Sequence, residues 1–107
     1  MRNKPFSVRY TELAVADLSQ AVNYVAGKLH NPTAARKLFS KIRTAVRKRS
    51  YCPIAFAVVP THKKREHDYY RIYVDSFDVY YVVIDGVMEI RRILYNKRAY
   101  LQLLTKE

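Results

Sequence analysis

From residue 69 to residue 100 the chain reads YYRIYVDSFDVYYVVIDGVMEIRRILYNKRAY, three apolar-aromatic runs broken at Asp75-Ser76 and Asp85-Gly86 and closed by the basic run Asn96-Lys97-Arg98. Short polar pairs between such runs are hairpin turn chemistry, so the stretch predicts a three-stranded antiparallel meander. In the first run alternation places Ile72 and Val74 on one face, with Arg71 and Tyr73 on the other. In the middle run Phe77, Val79, Tyr81 and Val83 oppose Asp78, Tyr80, Val82 and Ile84. Being apolar or aromatic on nearly both sides, this run predicts a central strand. A strict period of two in the last run sets Met88, Ile90, Arg92 and Leu94 against Val87, Glu89, Arg91, Ile93 and Tyr95.

Upstream, residues 6–10 alternate apolar and polar, the period of a short, half-buried edge strand. Thr11 offers a helix N-cap and Glu12 a first-turn negative charge, after which Val15, Leu18, Val22, Val25 and Leu29 recur at helical spacing beside Ala14, Ala21 and Ala26. His30-Asn31-Pro32 stops that helix and starts another, with Asn31 as cap and Pro32 at the first position. The second helix is predicted over residues 33–49, with Ala35, Leu38, Phe39, Ile42, Ala45 and Val46 as its apolar stripe. Residues 50–68 read as an irregular stretch whose apolar half, residues 54–59, packs across the core, and whose basic half is a solvent loop. The expected fold is α+β: an N-terminal strand and a two-helix hairpin packed on a three- to four-stranded, mainly antiparallel sheet, forming one domain over residues 1–107.

Charge adds a function to this outline. Twenty Lys and Arg against nine Asp and Glu give +11, with a pI near 10.0, a balance that speaks of anionic partners rather than of fold. The outer face of the second helix carries Arg36, Lys37, Lys41, Arg43, Arg47, Lys48 and Arg49 with no acid between Arg36 and Arg49; it reads either as a solvated face or as a surface for a polyanion or acidic partner, and seven cations without an acid are more than solubility asks for. The single cysteine, Cys52, cannot form an internal disulfide and is expected to be a buried structural thiol. No apolar run approaches a membrane span and no apolar segment follows the basic start, so a cytoplasmic protein is expected.

Most chemistries fail on spacing. His62 and His67 lack companions that would complete a metal site, and two glycines, Gly27 and Gly86, do not make a phosphate-binding or dinucleotide loop. No metal and no cofactor are expected. What remains is a basic-aromatic cluster on the meander: Tyr69, Arg71, Tyr73, Arg91, Arg92, Tyr95, Lys97, Arg98 and Tyr100. Guanidinium groups grip phosphates and Tyr rings stack on bases, so such a surface suits RNA. It could also cleave RNA, Arg stabilising the transition state while a Tyr, His or Lys moves protons. Tyr residues on strands also serve as core or cross-strand pairs.

The order strand, helical hairpin, basic loop, meander and basic-aromatic tail resembles the RelE/ParE superfamily of bacterial type II toxins. The resemblance is sharpest at Tyr70-Arg71-Ile72-Tyr73-Val74, at Phe77-Asp78-Val79-Tyr80-Tyr81-Val82-Val83, and at Ile90-Arg91-Arg92-Ile93-Leu94-Tyr95-Asn96-Lys97-Arg98. It implies a growth-inhibiting toxin associated with plasmid stabilisation and neutralised by a cognate acidic antitoxin. Two targets divide the superfamily. If the chain is a ribosome-dependent mRNA endoribonuclease of the RelE type, the resemblance makes Arg71 and Arg98 phosphate contacts and places Tyr100 near the proton transfer. Against that stand Tyr73, where a second basic residue is expected, and Asp78, where a phosphate-binding Arg is expected. A carboxylate there repels a phosphate. The ending through Arg98, with Tyr95 where His is common, is similar to the ParE branch, which binds and poisons DNA gyrase. This branch is the favoured reading and the nuclease the alternative.

For either target, Lys63, Lys64, Arg65, Arg91, Arg92, Tyr95 and Lys97 are the candidate target- or nucleic-acid-binding residues. Arg36, Arg43, Arg47, Phe56 and Tyr73 are the candidate antitoxin contacts, since a basic helix face, an apolar strip and an aromatic sheet face suit an acidic amphipathic segment. Without that partner the chain is expected to aggregate.

Overall fold

The computed structural model describes residues 4–60 and 65–96. Strand β1 (Ser7–Tyr10) leads into helix α1 (Glu12–Asn23), which runs on as a π-helical turn (Tyr24–Lys28). Helix α2 (Pro32–Arg49) follows, and then the meander β2 (Tyr70–Val74), β3 (Phe77–Ile84) and β4 (Val87–Tyr95). The sheet order is β1-β4-β3-β2, with both meander pairs antiparallel and β1 running parallel to β4. The sequence placed β1 at an edge, where it lies.

Local chemistry accounts for the boundaries. The Thr11 hydroxyl accepts from the Ala14 amide at 3.1 Å, and Asn31 Oδ1 accepts from the Ala34 amide at 3.0 Å, so each predicted cap is in place. The end of the first helix differs from expectation. The Leu29 amide reaches back five residues to the Tyr24 carbonyl at 3.2 Å, which widens the turn before His30 takes a φ of 51° and reverses the chain. Asp85 and Gly86 both have positive φ, at 50° and 76°, as a two-residue hairpin with right-handed strand twist demands.

Both helices pack on one face of the sheet, α1 over β4 and α2 over β2. The core joins Ala14, Leu18, Ala21, Leu38, Ile42 and Val46 to Tyr70, Ile72, Val79, Tyr81, Met88, Ile90 and Ile93. Alanines at positions 14 and 21 let α1 lie close to the strands. Val15 lies off the face that Ala14, Leu18 and Ala21 bury, and Leu29 lies beyond the π-helical turn, so both are exposed. Phe39 is exposed as well, under the Arg43 guanidinium at 5.7 Å from its ring centre.

Three further expectations are overturned. Residues 54–59 do not cross the core: Ile54, Phe56 and Val58 are exposed, and in the preceding turn Ser50 and Pro53 are buried. The reason is a clamp. Tyr81 donates its hydroxyl hydrogen to the Pro53 carbonyl at 2.6 Å and accepts from Arg49 Nη1 at 2.9 Å, while the Arg49 guanidinium lies 3.5 Å from the centre of the Phe56 ring. The turn is thereby held to Tyr81 and Arg49. Cys52, in the same turn, is exposed rather than buried. Strict alternation also fails in β4. Tyr80 pairs with Arg92 but Tyr81 pairs with Ile90, which leaves Arg91 as the extra residue of a bulge. Beyond it the faces exchange, so Ile93 joins the core at 2% exposure.

Candidate recognition surface

The sheet face turned away from the helices is built from the alternate residues of the meander. Arg71 pairs directly with Tyr80, and Tyr73 with Asp78, so four side chains form a square on β2 and β3. Arg71 lies opposite Tyr80, whose hydroxyl donates to Asp78 Oδ2 at 3.1 Å, and the Arg71 guanidinium stands 4.9 Å from the Tyr73 ring centre. Burial works against the Arg71 charge, but the neighbouring Tyr80, Tyr73 and Asp78 outweigh it and raise its pKa. Burial raises the Tyr80 hydroxyl, Arg71 pulls it back, and the Asp78 carboxylate adds to the rise. Arg71 therefore stays charged and Tyr80 stays protonated across the physiological range.

A second cluster occupies the neighbouring part of this face. Glu89 accepts from Arg9 at 2.8 Å and from Arg91 Nε at 2.7 Å, and Arg91 Nη1 donates to the Tyr69 hydroxyl at 3.0 Å. These two guanidinium partners hold the Glu89 carboxyl below its ordinary value. Arg65 stands over the same Tyr69 ring at 5.6 Å, with Arg91 at 5.8 Å. Arg92, opposite Tyr80 in the register, turns its side chain to α1 instead. Its Nε donates to Asp17 Oδ2 on α1 at 2.8 Å, and that hydrogen bond keeps its charge against burial.

The structure thus gathers Arg71 with Tyr73, and Arg91 with Arg65, but sets Arg92 apart at the α1 junction. Tyr95 stands at the far end of β4, edge-on to Phe77 at 5.6 Å. Lys63, Lys64, Lys97, Arg98 and Tyr100 lie outside the described residues. Arg36, Arg43 and Arg47 are exposed on α2, whereas Phe56 belongs to the Arg49 clamp. Sequence reading missed Tyr80, Asp17 and Arg49 as organisers. Only Tyr80 had a signal, being opposite Arg71 once the Asp75-Ser76 turn fixes the register.

Between α2 and the free side of β2 runs an open groove of about 430 Å³, lined by Ser40, Lys41, Thr44, Lys48, Tyr73 and Asp75. Lys41 closes one end through a 3.0 Å contact with Asp75, an exposed pair worth little to stability. Because β2 is an edge strand, the groove sets unpaired backbone beside two lysines. Among the described residues no three His, Cys, Asp or Glu side chains are grouped as metal ligands would be, and no helix is long and apolar enough to cross a membrane.

A family model described as the ParE toxin of the type II toxin-antitoxin system parDE matches residues 8–100 of the chain. The chain belongs to the ParE toxin family. Among solved structures it is similar to the chromosomal ParDE toxin-antitoxin system from P. aeruginosa at 21% identity and a TM-score of 0.68, covering 82% of this chain and 92% of that one. It is also similar to the RelB-RelE antitoxin-toxin complex from Methanococcus jannaschii at 20% identity and a TM-score of 0.48, covering 86% and 94%. No curated protein matches the chain. The family match bears out the superfamily resemblance, and the P. aeruginosa structure bears out the α+β fold.

Proposed function

We propose that this ParE-family toxin arrests growth by binding and trapping DNA gyrase, and that an antitoxin holds it inactive. The observation that carries the target is the state of the cations on the described sheet face. Arg71 packs on Tyr73 beside the Tyr80-Asp78 pair, Arg91 is tied to Glu89 and Tyr69, and Arg92 to Asp17. A phosphate-cleaving site keeps its cations free to meet developing charge. Here they brace one another into a fixed polar surface, which suits recognition of a protein. The parDE family description supports the same branch.

The antitoxin contact is the groove beside β2. An extended acidic segment there would pair with the open edge and set its carboxylates against Lys41 and Lys48. Arg36, Arg43 and Arg47 continue the positive face along α2. Induced expression of the toxin alone should stop growth, and co-expression with its antitoxin should restore it. A translating extract separates the targets, because intact mRNA in the presence of active toxin agrees with gyrase binding. Cleavage that disappears in Arg98→Ala would instead establish the ribosome-dependent nuclease.

A further inference from the structure

The cations of α2 divide into two stripes. Arg36, Arg43 and Arg47 stand at i, i+7 and i+11, with Phe39 between the first two, whereas Lys37, Lys41 and Lys48 run at i, i+4 and i+11 along another line of the helix. At 3.6 residues per turn the two lines lie roughly a third of a turn apart. Lys41 and Lys48 line the groove beside β2, and the arginine stripe lies outside that lining. Burial raises the Tyr10 hydroxyl and the Arg43 charge pulls it back, so Arg43 stands on the β1 side, at the opposite edge of the sheet from β2.

All three arginines are exposed. Among the described residues the ion pairs use Arg9, Lys41, His67, Arg91 and Arg92, so the stripe keeps its charges open to an outside anion. This sets it apart from the sheet face, where Arg91 and Arg92 are held by Glu89 and Asp17. Its composition is selective as well, because the planar arginine fork matches phosphate oxygens two at a time.

The shape of the stripe narrows the anion. From Arg36 to Arg47 it runs straight for about 16 Å, at 1.5 Å of rise per residue. An extended or helical peptide docks on an open strand edge or in an apolar groove, and a helix side whose backbone is bonded within the helix offers neither. A single strand stacks its bases on aromatic faces, and the one ring of the stripe, Phe39, lies under the Arg43 guanidinium at 5.7 Å. A straight, convex row of guanidinium groups fits a rod of closely spaced phosphates, and a duplex carries one charge per about 1.7 Å of its axis.

We infer that the Arg36-Arg43-Arg47 stripe of α2 docks the phosphate backbone of duplex DNA, independently of base sequence, while the lysine side stays with the groove. The contact itself goes beyond the gyrase reading; the choice of DNA among duplexes rests on it, since the enzyme proposed as the target acts on duplex DNA.

Fluorescence anisotropy of the full chain with a labelled duplex DNA of arbitrary sequence, titrated at several salt concentrations and without gyrase, tests this. Replacing the stripe by Arg36→Gln, Arg43→Gln and Arg47→Gln together should flatten the slope of log K against log salt by roughly 2–3, since each phosphate contact contributes about 0.9, and should weaken binding at least about tenfold near ~0.1 M salt. Lys37→Gln, Lys41→Gln and Lys48→Gln together remove the same charge and should flatten the slope by less than about 1. Arg36→Lys, Arg43→Lys and Arg47→Lys together should keep the slope, because counterion release counts charges, and circular dichroism melts establish that each variant is folded. Duplex DNA should bind more tightly than either of its single strands and at least as tightly as duplex RNA of the same length. An unchanged slope in the arginine-to-glutamine variant, equal flattening in the arginine and lysine sets, or tighter binding of a single strand or of duplex RNA would overturn the proposal; the stripe would then belong to an acidic protein or to the general field of the +11 charge. None of these readouts involves gyrase, so this proposal and the gyrase reading fail separately.

Discussion

Asp17 on α1 accepts the backbone N–H of Ile93 on β4 at 2.9 Å, and with the same carboxylate holds the Arg92 guanidinium. β1 pairs with β4 only as far as Ile90, so this amide would otherwise face the uncovered edge. The helix thus finishes the sheet where the strand stops. Asp17→Ala should lower stability by about 2–3 kcal/mol, the worth of hydrogen bonds to a charged group with the Ile93 amide left unpaired. Urea unfolding with an unchanged slope checks it, and a loss under about 0.5 kcal/mol, the level of a neutral surface change, would contradict it.

Arg49 is the pin of the turn after α2. It combines a hydrogen bond to Tyr81 with close packing on Phe56, and Tyr81 in turn holds Pro53. Arg49→Ala should cost about 1–3 kcal/mol and raise proteolytic nicking between Ile54 and Val58. Arg49→Lys should not restore protection, since an ammonium lacks the planar face that lies on the ring. Limited proteolysis of the three proteins decides it, and equal cleavage would remove Arg49 from this role.

Glu89 should give the fold an acid-sensitive component. Hydrogen bonds from Arg9 and Arg91 lower its pKa from the ordinary 4.5, so above that value the carboxylate is ionised in both folded and unfolded chains and its contribution is complete. As pH falls below 4.5 the unfolded chain gains a proton that the folded one resists, and stability declines until the folded value is passed. Denaturant titrations from neutral into acid solution should therefore show a shallower decline for Glu89→Gln than for the parent, from a lower neutral starting point. Parallel curves would mean that the Arg9-Glu89-Arg91 cluster contributes nothing.

What could be read from the chain follows from how local each signal is. The hairpin turns, both helix caps and the faces of β2 depend on neighbours in sequence, and Asp85-Gly86, Thr11 and Asn31 announced them. The bulge at Arg91 depends on pairing with β3, so a strict period of two misassigned Ile93. The apolar character of residues 54–59 suggested burial, but the Arg49-Tyr81-Pro53 clamp joins groups up to 32 positions apart and has no sequence signature. On the candidate site, Arg71, Tyr73 and Arg91 were legible as outward positions of strands. Their partners were less so: Asp17 lies 75 positions from Arg92, and nothing around it marks it as a sheet cap.

The central claim, that this ParE-family toxin acts by seizing gyrase, is tested most directly by supercoiling of relaxed plasmid by purified gyrase as the toxin is titrated to saturation. The account predicts loss of supercoiling with accumulation of cleaved, enzyme-bound DNA, both reversed by antitoxin. Normal supercoiling at saturating toxin, from a preparation that still arrests growth when expressed, would contradict it.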